Sequence, residues 1–198
     1  GGSGGVLSGT VNKLSDNTAT TAYDLASIGT YDWWACFNSG SFASPDTKSG
    51  GPGDISATAI AGVSSNSSTG HYVQFLKFSS GTPTASNTSS PNGDDGAVIV
   101  GQAGPTVGTS TTRFTIDIGT TQRTISIWFL SVPADTVAIT ASLSDGSASN
   151  YTYSGTNNLW NTRLDLTAKA GSAAQTLTVD IENQTGTGYI YVQGAAIA

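Results

Sequence analysis

Short stretches of alternating apolar and polar residues run along most of this chain, separated by clusters of Gly, Pro, Asn, Asp and Ser. Such alternation is typical of β-strands with one buried face, and no stretch shows a convincing helical repeat. The pattern therefore predicts an all-β fold, a β-sandwich or barrel, of which we favour a single antiparallel β-sandwich. Six stretches supply its predicted core: Phe114, Ile116 and Ile118; Ile125, Ile127 and Phe129; Val137, Ile139, Ala141 and Leu143; Trp160, Leu164 and Leu166; Leu177, Val179 and Ile181; Ile190 and Val192.

The remaining stretches suggest how the chain is organised around that core. Residues 71–78, HYVQFLKF, carry apolar side chains at both odd and even positions and predict a central strand covered on both faces. Two polar stretches, 43–54 and 79–96, lack a hydrophobic pattern and predict long loops, where binding sites are often found. The opening GGSGG, residues 1–5, reads as a flexible linker or tail. We expect one β-sandwich domain over residues 6–198.

Charge and composition narrow the classes of partner. The 198 residues include only 7 Lys and Arg against 13 Asp and Glu, for a net charge of −6. Nucleic-acid binding requires clustered basic residues, so we expect no nucleic-acid partner. No apolar run approaches the roughly 18 residues that cross a bilayer, so we expect no membrane insertion. A surface with few charges and many Ser and Thr residues favours an extracellular, secreted or cell-surface protein. The single cysteine, Cys36, is expected to be a small buried hydrophobic residue.

Catalytic chemistry has little support in the sequence, and we expect no enzyme. The single histidine, His71, begins an apolar strand with no nucleophile motif around it. Glu182 is the only glutamate, and glycosidases need two carboxyl groups at a defined separation. No cofactor is expected. Asp94 and Asp95 form either a solvated acidic turn, which we favour, or the ligands of a structural calcium ion.

Aromatic residues are the more informative candidates for binding. Trp128, Tyr189 and Tyr191 alternate with core residues, which predicts an outward face, either a platform for a ligand or a surface covered by a second layer. Tyr151 follows a polar turn and is a further candidate. In 31–38, YDWWACFN, Trp33 shares the more apolar face and is assigned to the core. Trp34 shares a face with Asp32 and is predicted to contact a ligand or a second subunit.

Several segments resemble an accessory module found beside the catalytic domains of secreted bacterial polysaccharide-degrading enzymes and in surface proteins. They include YDWW at 31–34, TTQRTISIW at 120–128, ASLSDGSASNYT at 141–152 and AQTLTV at 174–179. The resemblance covers most of the chain after about residue 20 and is most specific in ASLSDGSA. In the first of these segments, the sequence departs from that of the module after Asp32 and Trp33. The resemblance implies a jelly-roll-like β-sandwich with a carbohydrate-associated role.

Two functions from different classes follow. The first is a non-catalytic module that binds a polysaccharide or glycan surface, or mediates adhesion, through exposed aromatics and polar loops. The alternative is a structural subunit that assembles with copies of itself into an extracellular filament or surface layer, burying those aromatics against its neighbours. We favour the first.

Overall fold

The computed structural model describes residues 4–14, 22–36, 42–67, 76–87, 97–101, 110–132, 135–157, 161–184 and 189–198. Nearly all of its regular structure is β, and one four-residue helix, α1, spans Leu25–Ile28. In chain order the strands are β1 (Val6–Lys13), β2 (Tyr23–Asp24), β3 (Asp32–Ala35), β4 (Asp46–Lys48), β5 (Ile55–Ala61), β6 (Val63–Ser67), β7 (Leu76–Ser79), β8 (Gly81–Thr82), β9 (Ser86–Asn87), β10 (Ala97–Gly101), β11 (Ser110–Ile118), β12 (Arg123–Val132), β13 (Asp135–Leu143), β14 (Tyr151–Asn157), β15 (Thr162–Lys169), β16 (Gln175–Asn183) and β17 (Tyr189–Ile197).

Two antiparallel sheets form the sandwich. The large sheet has the order β1-β15-β12-β17-β3-β4-β8, and β10 joins β17 and carries β6. The small sheet has the order β14-β13-β16-β11-β5. From β11 to β17 the chain passes between the sheets at almost every connection, and only β13 and β14 form a hairpin within one sheet. This crossing is jelly-roll-like and confirms the predicted fold class.

The main core lies between the two sheets. It contains the residues predicted from alternation in β11, β12, β13, β15, β16 and β17, together with the buried Cys36. Cross-strand registers such as Phe114 opposite Val179 and Ile139 opposite Ile181 align their apolar faces, as the period of two requires. Trp160, which was assigned to this core, lies outside the described residues.

A small outer layer covers part of the opposite face of the large sheet. It consists of α1 and a three-stranded sheet in which β7 pairs in parallel with β2 and antiparallel with β9. Asp24 caps α1 by accepting a hydrogen bond from the Ala26 amide, at 3.0 Å. Under this layer lies a second cluster of buried residues, which we call the outer cluster: Leu25, Trp33, Ala35, Leu76, Phe78, Trp128 and Ala196.

The outer layer overturns several expectations. Residues 76–79 belong to it, so this stretch is not a central strand of the sandwich, and residues 71–75 lie outside the described part. Trp33 is buried as predicted, but in the outer cluster. Trp34, predicted to face outward, is 1% exposed and belongs to the main core, because β3 lies between β17 and β4 with both of its faces covered.

The stretches expected to be long loops contain short strands. β4 lies within 43–54, and β8 and β9 lie within 79–96. β4 and β8 extend the large sheet beyond β3, and β9 completes the outer layer. No helix in the described part of the chain has the length and apolar character needed to cross a membrane.

Candidate functional site

A cleft of about 360 Å³ opens at one end of the sandwich. Its lining comes from segments at which strands of both sheets begin or end. Ile118 and Ile197 belong to the main core, so they form an apolar floor continuous with it. We call this the end cleft, and its lining residues are Tyr31, Asp54, Asp117, Ile118, Gly119, Thr121, Arg123, Ala174, Gln175 and Ile197.

Arg123 and Tyr31 form the centre of the end cleft. Arg123 has the same strand parity as Ile125 and Ile127, so it starts β12 on the side that faces the space between the sheets. Its guanidinium carbon lies 3.7 Å from the centroid of the Tyr31 ring, a cation–π contact. Within the described residues the guanidinium forms no hydrogen bond or ion pair, so its N–H groups remain available to a ligand.

Lys48 holds the segment that carries Tyr31. Its ammonium group donates hydrogen bonds to three successive carbonyl oxygens, those of Gly29 and Tyr31 at 3.3 Å and that of Thr30 between them. The Tyr31 amide also donates to the Ile197 carbonyl at 3.0 Å. Tyr31 is therefore tied to both β4 and β17, so the cleft is built on the framework of the large sheet.

Asp32 holds the segment that carries Asp54. The Asp32 side chain is buried, and its two oxygens accept hydrogen bonds from the amides of Trp33 at 2.9 Å and Asp54 at 2.8 Å. Gly51 packs so closely that a Cβ there would lie 2.6 Å from an Asp32 oxygen, and Gly50 has a positive φ of 71°. These requirements explain the glycines of KSGGPGD at 48–54, a stretch that positions Asp54 opposite Tyr31.

Electrostatics at this wall are dominated by Asp54 and by burial. The negative charge of Asp54 raises the pKa of Tyr31, burial raises it further, and the positive charge of Arg123 acts in the opposite direction. Burial raises the pKa of the Asp32 carboxyl, and the hydrogen bonds from the Asp54 and Trp33 amides oppose this effect.

The raised pKa of Asp32 predicts a specific dependence of stability on pH. Because the folded chain holds this proton more tightly than the unfolded chain, the stability it contributes is lost as the pH rises from the ordinary aspartate value of 3.8 through the raised value. Urea unfolding between about pH 4 and pH 7 should show the wild type losing free energy of unfolding relative to Asp32→Asn. Parallel pH profiles for the two proteins would contradict this.

A turn next to the end cleft fixes its rim. The Asp145 carboxylate accepts hydrogen bonds from the amides of Ser147, Gly171 and Ser172, at 3.0, 2.9 and 3.2 Å. The Ser147 hydroxyl has the largest effect in lowering the pKa of Asp145, and the three amide contacts lower it further. Ser144 donates to the Gln175 side chain at 2.8 Å, and Gln175 lines the cleft. The resembled stretch ASLSDGSA therefore has a structural role here: it docks the turn after β15 that carries the rim.

Of the five residues predicted from the sequence to form the site, the four with described side chains, Trp34, Trp128, Tyr151 and Tyr191, do not line the end cleft. Trp128 is 0% exposed because α1, β2 and β7 cover the face that alternation predicted to be outward, and its ring lies 5.9 Å from that of Tyr23. The burial of Trp34 and Trp128 leaves neither ring a surface for ligand stacking. Tyr151 is half-buried against the main core, and burial raises its pKa.

The other sequence candidates are only partly described. Tyr191 is half-buried on the face of β17 opposite Ile190 and Val192, while the side chain of Tyr189 lies outside the described residues. His71, Asp94 and Asp95 also lie outside them, so the calcium expectation stays untested. Across the described ranges, no three His, Cys, Asp or Glu side chains are grouped as metal ligands would be.

One signal in the sequence pointed to the site that was missed. Arg123 is a charged residue at the first position of the apolar face that continues with Ile125 and Ile127. A charge at a core-facing position is rare unless it lies at the end of a strand and has a partner. Here the partner is the ring of Tyr31, which has the same strand parity as Trp33 in the stretch 31–38.

No protein-family model matches the chain, and no curated protein matches it in sequence. Among solved structures, it is similar to TmCBM61, a carbohydrate-binding module in complex with β-1,4-galactotriose, at 10% identity over 80% of this chain and 90% of that one, with a TM-score of 0.44. The family 11 carbohydrate-binding module of Clostridium thermocellum, in complex with a β-1,3-1,4-mixed-linked tetrasaccharide, matches at 13% identity over 73% and 89%, with a TM-score of 0.36.

The enzymatically active domain of tailspike protein 4 from bacteriophage CBA120 matches at 11% identity over 74% of this chain but only 20% of that one, with a TM-score of 0.45. With TM-scores below 0.5, these similarities assign neither a ligand nor a site to this chain.

Proposed function

We propose that this chain is a non-catalytic, extracellular glycan-binding module and that the end cleft is its binding site. The carrying observation is the Arg123 guanidinium stacked on Tyr31, with no hydrogen-bond acceptor for its N–H groups among the described residues, in a cleft that Asp54 and Asp117 also line. The cleft thus offers hydrogen-bond donors and acceptors close together above an apolar floor. These features support a ligand that is polar at its edge and weakly apolar on its faces.

A sugar ring fits this combination. Each hydroxyl both donates and accepts a hydrogen bond, and hydrogen bonds to a charged partner are the stronger ones. The C–H faces of the ring can pack on Ile118 and Ile197. Because Lys48, Asp32 and Asp145 hold the surrounding segments in place, little ordering free energy is lost on binding.

Isothermal titration calorimetry with a panel of neutral, amino and acidic hexose oligosaccharides tests the proposal. Tyr31→Ala and Arg123→Ala should each weaken binding by at least about tenfold, corresponding to ~1.4 kcal/mol. The matched controls are Tyr153→Ala on β14 and Arg113→Ala, whose guanidinium is paired with Asp180 at 2.7 Å. Unchanged binding in both cleft variants, or equal loss in the controls, would contradict the proposed site. Release of reducing ends from a bound oligosaccharide would contradict a non-catalytic role.

A self-assembling subunit is the second candidate, favoured by one observation at the edge of the small sheet. β5 is an edge strand without charged residues, and its Ile60 side chain is 46% exposed next to a β-bulge. Uncharged edges can add a strand from another chain. Sedimentation velocity without glycan distinguishes the candidates, since a binding module stays monomeric and a filament subunit forms large species that Ile60→Lys disperses.

A further inference from the structure

Two aspartates, Asp54 and Asp117, lie opposite each other in the paired strands that border the end cleft. The Asp117 amide donates to the Asp54 carbonyl at 2.9 Å, which extends the β5–β11 register by one pair beyond Ile55 and Ile116. Residues opposed in this way have Cβ atoms about 4.5–5.5 Å apart, and like charges at such positions repel. Both residues line the cleft, so the repulsion lies at the proposed binding site.

Neither carboxylate has an ion-pair partner in the described part of the chain. Of the two nearby cations, Lys48 is bound to the backbone carbonyls of 29–31, while Arg123 lies in the cleft on the Tyr31 ring, so the lining carries two carboxylates and one guanidinium. The pKa of Tyr31 is raised although a guanidinium lies directly on its ring, since the Asp54 charge has the larger effect. The potential beside the Tyr31 hydroxyl is therefore negative.

We infer that the end cleft selects sugars that carry a positive charge, namely amino sugars with a free amino group, over neutral and acidic sugars. This inference rests on the proposed function and names the ligand class of the same site. An ammonium group donates three hydrogen bonds, and between Asp54 and Asp117 it relieves the repulsion of the two carboxylates. A uronic acid brings a third negative charge close to Asp54 and Asp117. A neutral sugar neither relieves the repulsion between them nor adds to it.

The experiment compares three oligosaccharides of equal length at pH 6 and low salt: a glucosamine hexamer, its N-acetylated form and a hexuronate. The glucosamine hexamer should bind about tenfold more tightly than the N-acetylated form, and the hexuronate most weakly. Adding 0.5 M NaCl should reduce the preference, because it screens the exposed charges. Asp117→Asn should bring the ratio of the affinities for the glucosamine and N-acetylated hexamers close to one.

The matched control is Glu182→Gln, which changes the net charge by the same amount. Glu182 lies seven residues along β16 from Gln175, about 23 Å at the rise of a strand. Glu182→Gln should leave the preference for the glucosamine hexamer intact. Loss of the preference in this variant would assign the effect to the overall charge of the protein and overturn the inference. Thermal melting of both variants verifies that they fold.

Three further outcomes would overturn the inference, and one of them also concerns the proposed function. Equal affinity for the glucosamine and N-acetylated hexamers refutes charge selection but leaves glycan binding standing. If the protein binds calcium from calcium chloride in the absence of sugar, and Asp117→Asn abolishes that binding, the carboxylates serve a metal ion instead. No binding of any sugar in the panel contradicts the proposed function itself.

Discussion

Trp34→Ala should lower the free energy of unfolding by about 3–5 kcal/mol, the usual cost of removing a large buried aromatic side chain. The indole meets the ring of Phe114 edge-on, with centroids 5.6 Å apart, and stacks against Phe42 at 6.1 Å. Removing it leaves a cavity in the main core that backbone pairing of β3 with β17 and β4 keeps from collapsing. Urea unfolding measures the effect.

Ile60→Ala is the control for this measurement. Ile60 is 46% exposed, so its truncation should change the free energy of unfolding by less than about 0.5 kcal/mol. A similarly small effect for Trp34→Ala would mean that the Trp34 side chain lies at the surface, as its polar neighbours in the sequence had indicated. The placement of β3 in the interior of the large sheet would then be wrong.

Trp128→Ala should lower the free energy of unfolding by a similar amount, ~3–5 kcal/mol, but the loss of stability should be concentrated in the outer layer. Trp128 lies under Tyr23 in the outer cluster, so its loss removes the surface on which the outer layer rests. Hydrogen exchange should show the amides of α1 and β7 losing protection first, while those of β13 and β16 remain protected. Uniform loss of protection across both sheets would contradict an outer layer that opens separately.

The sandwich was predictable because the later strands follow simple rules. In β11, β12, β13, β15, β16 and β17, the apolar residues of one parity fill the main core, so a local pattern indicates correctly which side chains belong to it. The outer layer was not predictable in this way. Its members, such as Leu25 and Phe78, lie far apart in the sequence, in short elements joined by a parallel pairing. No local pattern indicates that they come together over Trp128.

The end cleft escaped prediction for a related reason. Its residues are brought together by register and by strand ends, which depend on the whole fold: Asp54 meets Asp117 through the β5–β11 pairing, and Arg123 meets Tyr31 across the large sheet. Alternation singled out aromatic residues opposite core positions, and that reasoning assumed that the face was open. The outer layer covers the face of the large sheet that carries Trp128. Parity therefore predicted correctly that the Trp128 side chain points away from the main core, but wrongly that it is exposed.

The central claim is that the end cleft is where a glycan binds. Isotope-labelled protein titrated with the tightest-binding oligosaccharide of the panel tests it by backbone NMR chemical shifts. We predict saturable shifts largest at Tyr31, Asp54, 117–123 and 174–175, all at one end of the sandwich. Shifts centred on the outer face of the large sheet around Tyr191, or no saturable shifts with any sugar, would contradict the claim.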